Sequence, residues 1–107
     1  MVRVLVTVDL DDRCRERITS VSPEVRLLDG VRDEALESHL ADAEVWFGGG
    51  LRPERFRRAS SLRWVQAVTA GVDRYLFPEM VESRVLLTTA RGIHAETVAD
   101  HVFMLLL

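Results

Sequence analysis

Four short stretches of this 107-residue chain carry side chains or bare backbone that could do chemistry. The first is Thr69-Ala70-Gly71-Val72-Asp73, where an apolar run gives way to small residues. Gly71 lets the backbone approach a ligand closely, and Ala70 does not obstruct it. Adjacent N–H groups at such a turn could hold a carboxylate with donors that are fixed and cannot titrate. An ordinary turn with Asp73 capping the next segment fits the same residues equally well. The second stretch, Gly48-Gly49-Gly50, could present amides to an anion, or could be a strand-to-helix turn needing positive φ. The third is the trio Asp9, Asp11 and Asp12. A Mg²⁺ site of the receiver type would also need an aspartate closing the third strand and a lysine closing the fifth. Here the third strand ends Trp46-Phe47-Gly48 and the chain has no lysine, so helix capping is the expected role. The fourth is His94, followed by Glu96 and Thr97 in the first turn of a helix, with His101 beside Asp100 further along. A histidine near a carboxylate can act as a general base, but capping or packing is the expected role of each of these alone.

Composition narrows the chemistry. All 14 basic residues are arginine, so a lysine phosphate loop, a Schiff-base lysine and a lysine base are excluded within this chain. The net charge of −3 and the pI near 5.6 argue against a nucleic-acid partner. A single cysteine, Cys14, rules out an internal disulfide and a cysteine-rich metal site, and fits a cytoplasmic setting. No metal site is expected. No apolar run reaches the ~18 residues of a membrane span, and the start lacks a signal-peptide pattern. At 48% hydrophobic, the chain can bury the core of one domain.

The elements that must position these stretches follow from periodicity. Apolar, β-branched runs predict strands over 2–8, 25–28, 44–47, 62–68 and 84–89. Helices are expected from Asp12 to Pro23, over 32–43, from Pro53, over 78–82 and over 95–107. Cys14, Ile18 and Val21 share one face of the first helix, which places Cys14 in the core; Trp46 and Trp64 are expected to pack, and His39 to be solvated. Five strands alternating with helices predict an α/β, flavodoxin-like three-layer sandwich with a parallel sheet of order 2-1-3-4-5. Ligands of such sheets bind beyond the carboxyl ends of the strands, where all four stretches lie. The sequence "HVFMLLL" ends the chain inside an apolar helical pattern without a cap, and Leu107 is therefore expected to be a cut in a longer protein.

Residues 62–107, "LRWVQAVTAGVDRYLFPEMVESRVLLTTARGIHAETVADHVFMLLL", strongly resemble the NAD-dependent D-isomer-specific 2-hydroxyacid dehydrogenases. Phosphoglycerate, glycerate and formate dehydrogenases and glyoxylate/hydroxypyruvate reductases belong to that family. The distinctive order is an aromatic strand, an A-G-V-D turn, a strand, "ARGIH" and "VADHVFMLLL"; residues 1–61 agree in pattern only. The resemblance implies a two-domain enzyme that transfers a hydride between NAD or NADP and a D-2-hydroxy acid or 2-keto acid, and is a homodimer when intact. Residues 1–107 would be its substrate-binding domain, with 95–107 the start of the helix that crosses to a cofactor domain. The Ala70 and Gly71 amides would bind the substrate carboxylate. Val72 would complete the turn and Asp73 would hold its shape. Arg91 would lie near the cleft, and Thr97 would approach the nicotinamide. The family's catalytic arginine, glutamate and histidine would fall outside this chain, and His101 matches a helix position rather than the catalytic histidine. The chain contains no G-x-G-x-x-G, so the fragment is expected to bind no cofactor and to be inactive alone.

Two alternatives remain open at this level. One is a stand-alone flavodoxin-like binding or signalling domain. The other is that the apolar last helix drives self-association.

Overall fold

Short β-branched segments make the strands, and helices return the chain between them. The computed structural model describes residues 1–69, 71–90 and 95–106, with backbone only for 95–98. In chain order the elements are β1 Val2–Val6, α1 Asp12–Thr19, β2 Val25–Asp29, α2 Asp33–His39, β3 Val45–Phe47, α3 Pro53–Arg58, β4 Trp64–Gln66, a 3₁₀ turn Asp73–Tyr75, α4 Pro78–Glu82, β5 Leu86–Thr88 and α5 Ala95–Leu106. The strands pair in parallel in the order β2-β1-β3-β4-β5, as the alternating pattern predicts.

Strand alternation divides the apolar residues between two faces. On one face Leu5 lies beside Trp46 and Trp46 beside Val65. These three are fully buried, under Leu36 and Leu40 from α2 and its end, Leu51, Ala59 after α3, and Met80 from α4. Trp46 anchors this layer; truncating a buried tryptophan to alanine costs about 3–5 kcal/mol. On the other face Val4, Val6 and Val45 form a second cluster with Val2, Val25, Leu27 and Phe47 only partly covered. Right-handed crossovers account for the division: the first connection runs the opposite way along the sheet from the next three, so α1 sits alone across from α2, α3 and α4.

The strands are shorter than the apolar runs suggest, because the flanking residues pair without continuing the ladder: Ala67 N–H still donates to Thr88 O at 2.8 Å. Asp11 caps α1 as expected, accepting from Cys14 N–H at 2.8 Å. Two expectations fail on the α1 face. Cys14 is exposed rather than core, and α1 fully buries no residue. Trp64 is 40% exposed and uses its Nε1–H on Thr88 Oγ1 across the strand pair, at 2.8 Å. The physical reason is common to both. With one helix over this face, first-turn residues of α1 and the first residue of β4 find no partner to bury against.

Candidate functional site

The ends of β3 and β4 emerge side by side, and the two loops that follow them form a cleft. The Gly48–Gly50 loop is glycine for conformational reasons. Gly48 has φ +133° and Gly50 φ +78°, and a Cβ on Gly48 would fall 2.0 Å from Thr7 Oγ1. The turn reading of this stretch is thus borne out.

Side chains from four different parts of the fold fix the loop's carbonyls. Tyr75 O–H donates to Gly48 O at 3.2 Å. Thr7 Oγ1 and Trp46 Nε1 donate to Gly49 O at 2.9 and 3.1 Å. Arg55 Nη1 donates to Gly50 O at 2.9 Å. Arg55 is itself buried and reaches Asp33 at 3.4 Å with its other terminal nitrogen. Gly48 N–H is used on Gln66 O at 3.0 Å, tying the loop to β4. The amides of Gly49, Gly50 and Leu51 donate to no described residue. A loop whose oxygens are all spent inward while the Gly49 and Gly50 amides donate to no described residue favours negative charge.

The facing loop shows the same asymmetry. Thr69 Oγ1 donates to Gly71 O at 3.0 Å, and Tyr75 N–H to Val72 O at 2.8 Å. Thr69 O accepts from Ala90 N–H at 3.1 Å, which joins this loop to the end of β5. The Gly71 and Val72 amides donate to no described residue. Gly71 differs in kind from Gly48. A Cβ there would meet nothing within 4 Å. Internal crowding does not demand a glycine at position 71, and its missing side chain leaves space above the loop.

Between the two loops lies a cleft of about 800 Å³. Gly49, Gly50 and Arg52 line one wall, and Thr69, Gly71 and Arg74 line the other. Arg52 pairs with Glu54 at 3.6 Å, and Arg74 has no ion-pair partner among the described residues. Tyr75 spans the floor. Burial pushes its phenol pKa up, which keeps the hydroxyl protonated and able to donate to Gly48 O. The walls therefore offer amides and guanidinium groups to an acidic ligand, with Asp73 the acidic exception at the rim.

Of the expected substrate-binding residues Gly71 lines the cleft, opposite the glycine loop, and Val72 is not among the lining residues. Ala70, Arg91 and His94 lie outside the described residues, as does the side chain of Thr97. The cleft brings in Arg52, Arg74 and Tyr75, to which the sequence reading gave no role. Tyr75 was findable in part, being two residues past Asp73 in the same turn; its bond to Gly48, 27 residues away, was not. His39 and His101 take no part in the cleft, and His39 is half-buried rather than solvated. No group of three His, Cys, Asp or Glu side chains among the described residues could share a metal ion.

Comparison with known proteins adds one match. The family model described as D-isomer specific 2-hydroxyacid dehydrogenase, catalytic domain, covers residues 4–104. It extends the likeness of residues 62–107 back across the amino-terminal half. No curated protein and no solved structure matched the chain.

Proposed function

The chain belongs to the D-isomer-specific 2-hydroxyacid dehydrogenases, and from that premise we propose that residues 1–107 are the substrate-binding domain of such an enzyme. Family members use NAD(P) and act on 2-oxo and 2-hydroxy acids. The carboxylate of the acid binds the amides of Ala70, Gly71 and Val72, with Arg91 beside the reacting carbonyl. Thr97 approaches the nicotinamide from α5, which begins the crossing to a second domain. The observation that supports this assignment is the pair of loops at the ends of β3 and β4. Both carry N–H groups that donate to no described residue, both line one cleft, and a Cβ at Gly71 would meet nothing within 4 Å.

The residues present do not fit a dinucleotide. The only glycine run after a strand lacks the G-x-G-x-x-G spacing, and its first glycine is packed against Thr7. No hydride step is assigned to residues of this chain. Their work is to bind and orient the acid by fixed donors, which need no reorganisation when charge develops. The signalling alternative loses ground with the family match, and β3 ends without the aspartate such a domain needs.

Calorimetric titration with oxamate, a 2-oxo-acid analogue, tests the assignment. Saturable binding is expected for the chain, at least tenfold weaker for Gly71→Val, and NADH is expected to give no heat. Equal oxamate affinity in the variant, or NADH oxidation with glyoxylate by the chain alone, would overturn it.

A further inference from the structure

Among the described residues one charged side chain is buried, and it reaches the glycine loop. Arg55 belongs to α3 and is 8% exposed. The arginines around it, Arg52, Arg57 and Arg58, are surface cations that each meet an exposed glutamate. Such pairs contribute little. Arg55 has other partners. Its Nη1 donates to Gly50 O at 2.9 Å, its Nη2 reaches Asp33 Oδ1 at 3.4 Å, and its buried Nε has no partner among the described residues. Asp33, the first residue of α2, is 88% exposed, so its charge is largely spent on water.

Stability alone does not explain this side chain. Burying a charge is costly unless all its donors are paired, and an apolar residue of similar volume often serves the fold as well or better. Here one donor is orphaned and the counter-ion stays in solvent. What the guanidinium holds is the carbonyl of Gly50, a residue at φ +78° on the cleft wall. A carbonyl and the N–H of the next residue belong to one planar unit, so a donor on the oxygen strengthens the N–H as a donor in turn. The oxygens of Gly48, Gly49 and Gly50 all accept bonds from side chains of the fold. The N–H groups of those same three units are those of Gly49, Gly50 and Leu51, which donate to no described residue. Only Gly50 O takes its bond from a cation, and charge-assisted bonds are about twice as strong as neutral ones.

We propose that Arg55 is a positioning residue of the cleft. By holding Gly50 O it fixes the turn into α3 and polarises the Gly50–Leu51 peptide, so that the Leu51 amide joins those of Gly49 and Gly50 as a donor to the acid. The inference rests on the reading of the cleft as an acid site. It gives the glycine-loop wall a share in binding through a guanidinium that acts without touching the ligand.

Three variants test it. Arg55→Met keeps the bulk and removes the charge, Arg55→Lys keeps the charge without the fork, and Arg57→Met removes an exposed arginine from the same helix. In the unliganded ¹⁵N-labelled chain, Arg55→Met is expected to displace the Leu51 amide resonance, and Arg57→Met to leave it in place. In calorimetric titration, oxamate is expected to bind Arg55→Met roughly tenfold more weakly than the parent chain, Arg55→Lys in between, and Arg57→Met as the parent does. A merely structural role would lower the urea midpoint and leave the affinity of the folded chain unchanged. Should Arg55→Met not fold, Arg55→Lys carries the same two readouts. Parent affinity in the folded Arg55 variants, or an unmoved Leu51 resonance, would overturn the proposal. A parent chain that binds no oxamate, while the Leu51 resonance still follows Arg55, would overturn the acid-site reading and support the anchoring of the loop.

Discussion

Gly48→Ala is the most informative single change to the cleft. At φ +133° an alanine is strained, at about 1–3 kcal/mol. Its Cβ would also meet Thr7 Oγ1 at 2.0 Å, and that hydroxyl is the group holding Gly49 O at 2.9 Å. Relieving the overlap means turning Thr7 away and losing a hydrogen bond worth about 1 kcal/mol. The sum is about 2–4 kcal/mol, a large share of the 5–15 kcal/mol typical of a domain. Urea unfolding of the parent chain, Gly48→Ala, Thr7→Ala and the double variant would resolve the two contributions. Thr7→Ala removes the atom at 2.0 Å and leaves neighbours no nearer than 3.2 Å, so Gly48→Ala should cost about 1 kcal/mol less on that background. A cost below about 0.5 kcal/mol on the parent chain would refute the reasoning, because it would place the loop in a conformation open to any residue.

Tyr75→Phe deletes the buried donor to Gly48 O, and should lower stability by about 1–2 kcal/mol in urea while exposing the Gly49 and Gly50 amides to faster hydrogen exchange. Acid unfolding follows from three carboxyls. The Arg58 guanidinium holds Glu37 below the usual carboxylate range, Arg57 does the same for Glu79, and the Cys14 backbone N–H for Asp11. Lowered folded-state values mean that this stability is complete above the ordinary range near pH 4, and is lost as pH falls through the lowered values. Glu37→Gln and Glu79→Gln should each flatten the fall of the melting temperature below pH 4, and a slope identical to that of the parent chain would contradict the pairing.

The topology was legible because five β-branched runs alternate with helical patterns, and the hand of crossovers leaves few ways to order them. The cap at Asp11 was legible because it is local. Cys14 was misplaced because helical spacing reports which residues share a face and not whether anything covers it. The glycine loop was half legible. Its turn chemistry followed from three consecutive glycines, but the side chains that spend its carbonyls come from Thr7, Trp46, Arg55 and Tyr75, and only the fold brings these together. Gly71 is the converse case. The sequence singled it out, and the structure adds that a Cβ there would crowd nothing within 4 Å.

Amide chemical shifts of the ¹⁵N-labelled chain during titration with oxamate measure the central claim most directly. Saturable shifts concentrated at Gly71 and Val72, with smaller ones at Gly49 and Gly50 across the cleft, are the predicted result. Shifts confined to arginine side chains elsewhere on the surface, with Gly71 and Val72 unmoved at saturation, would contradict it.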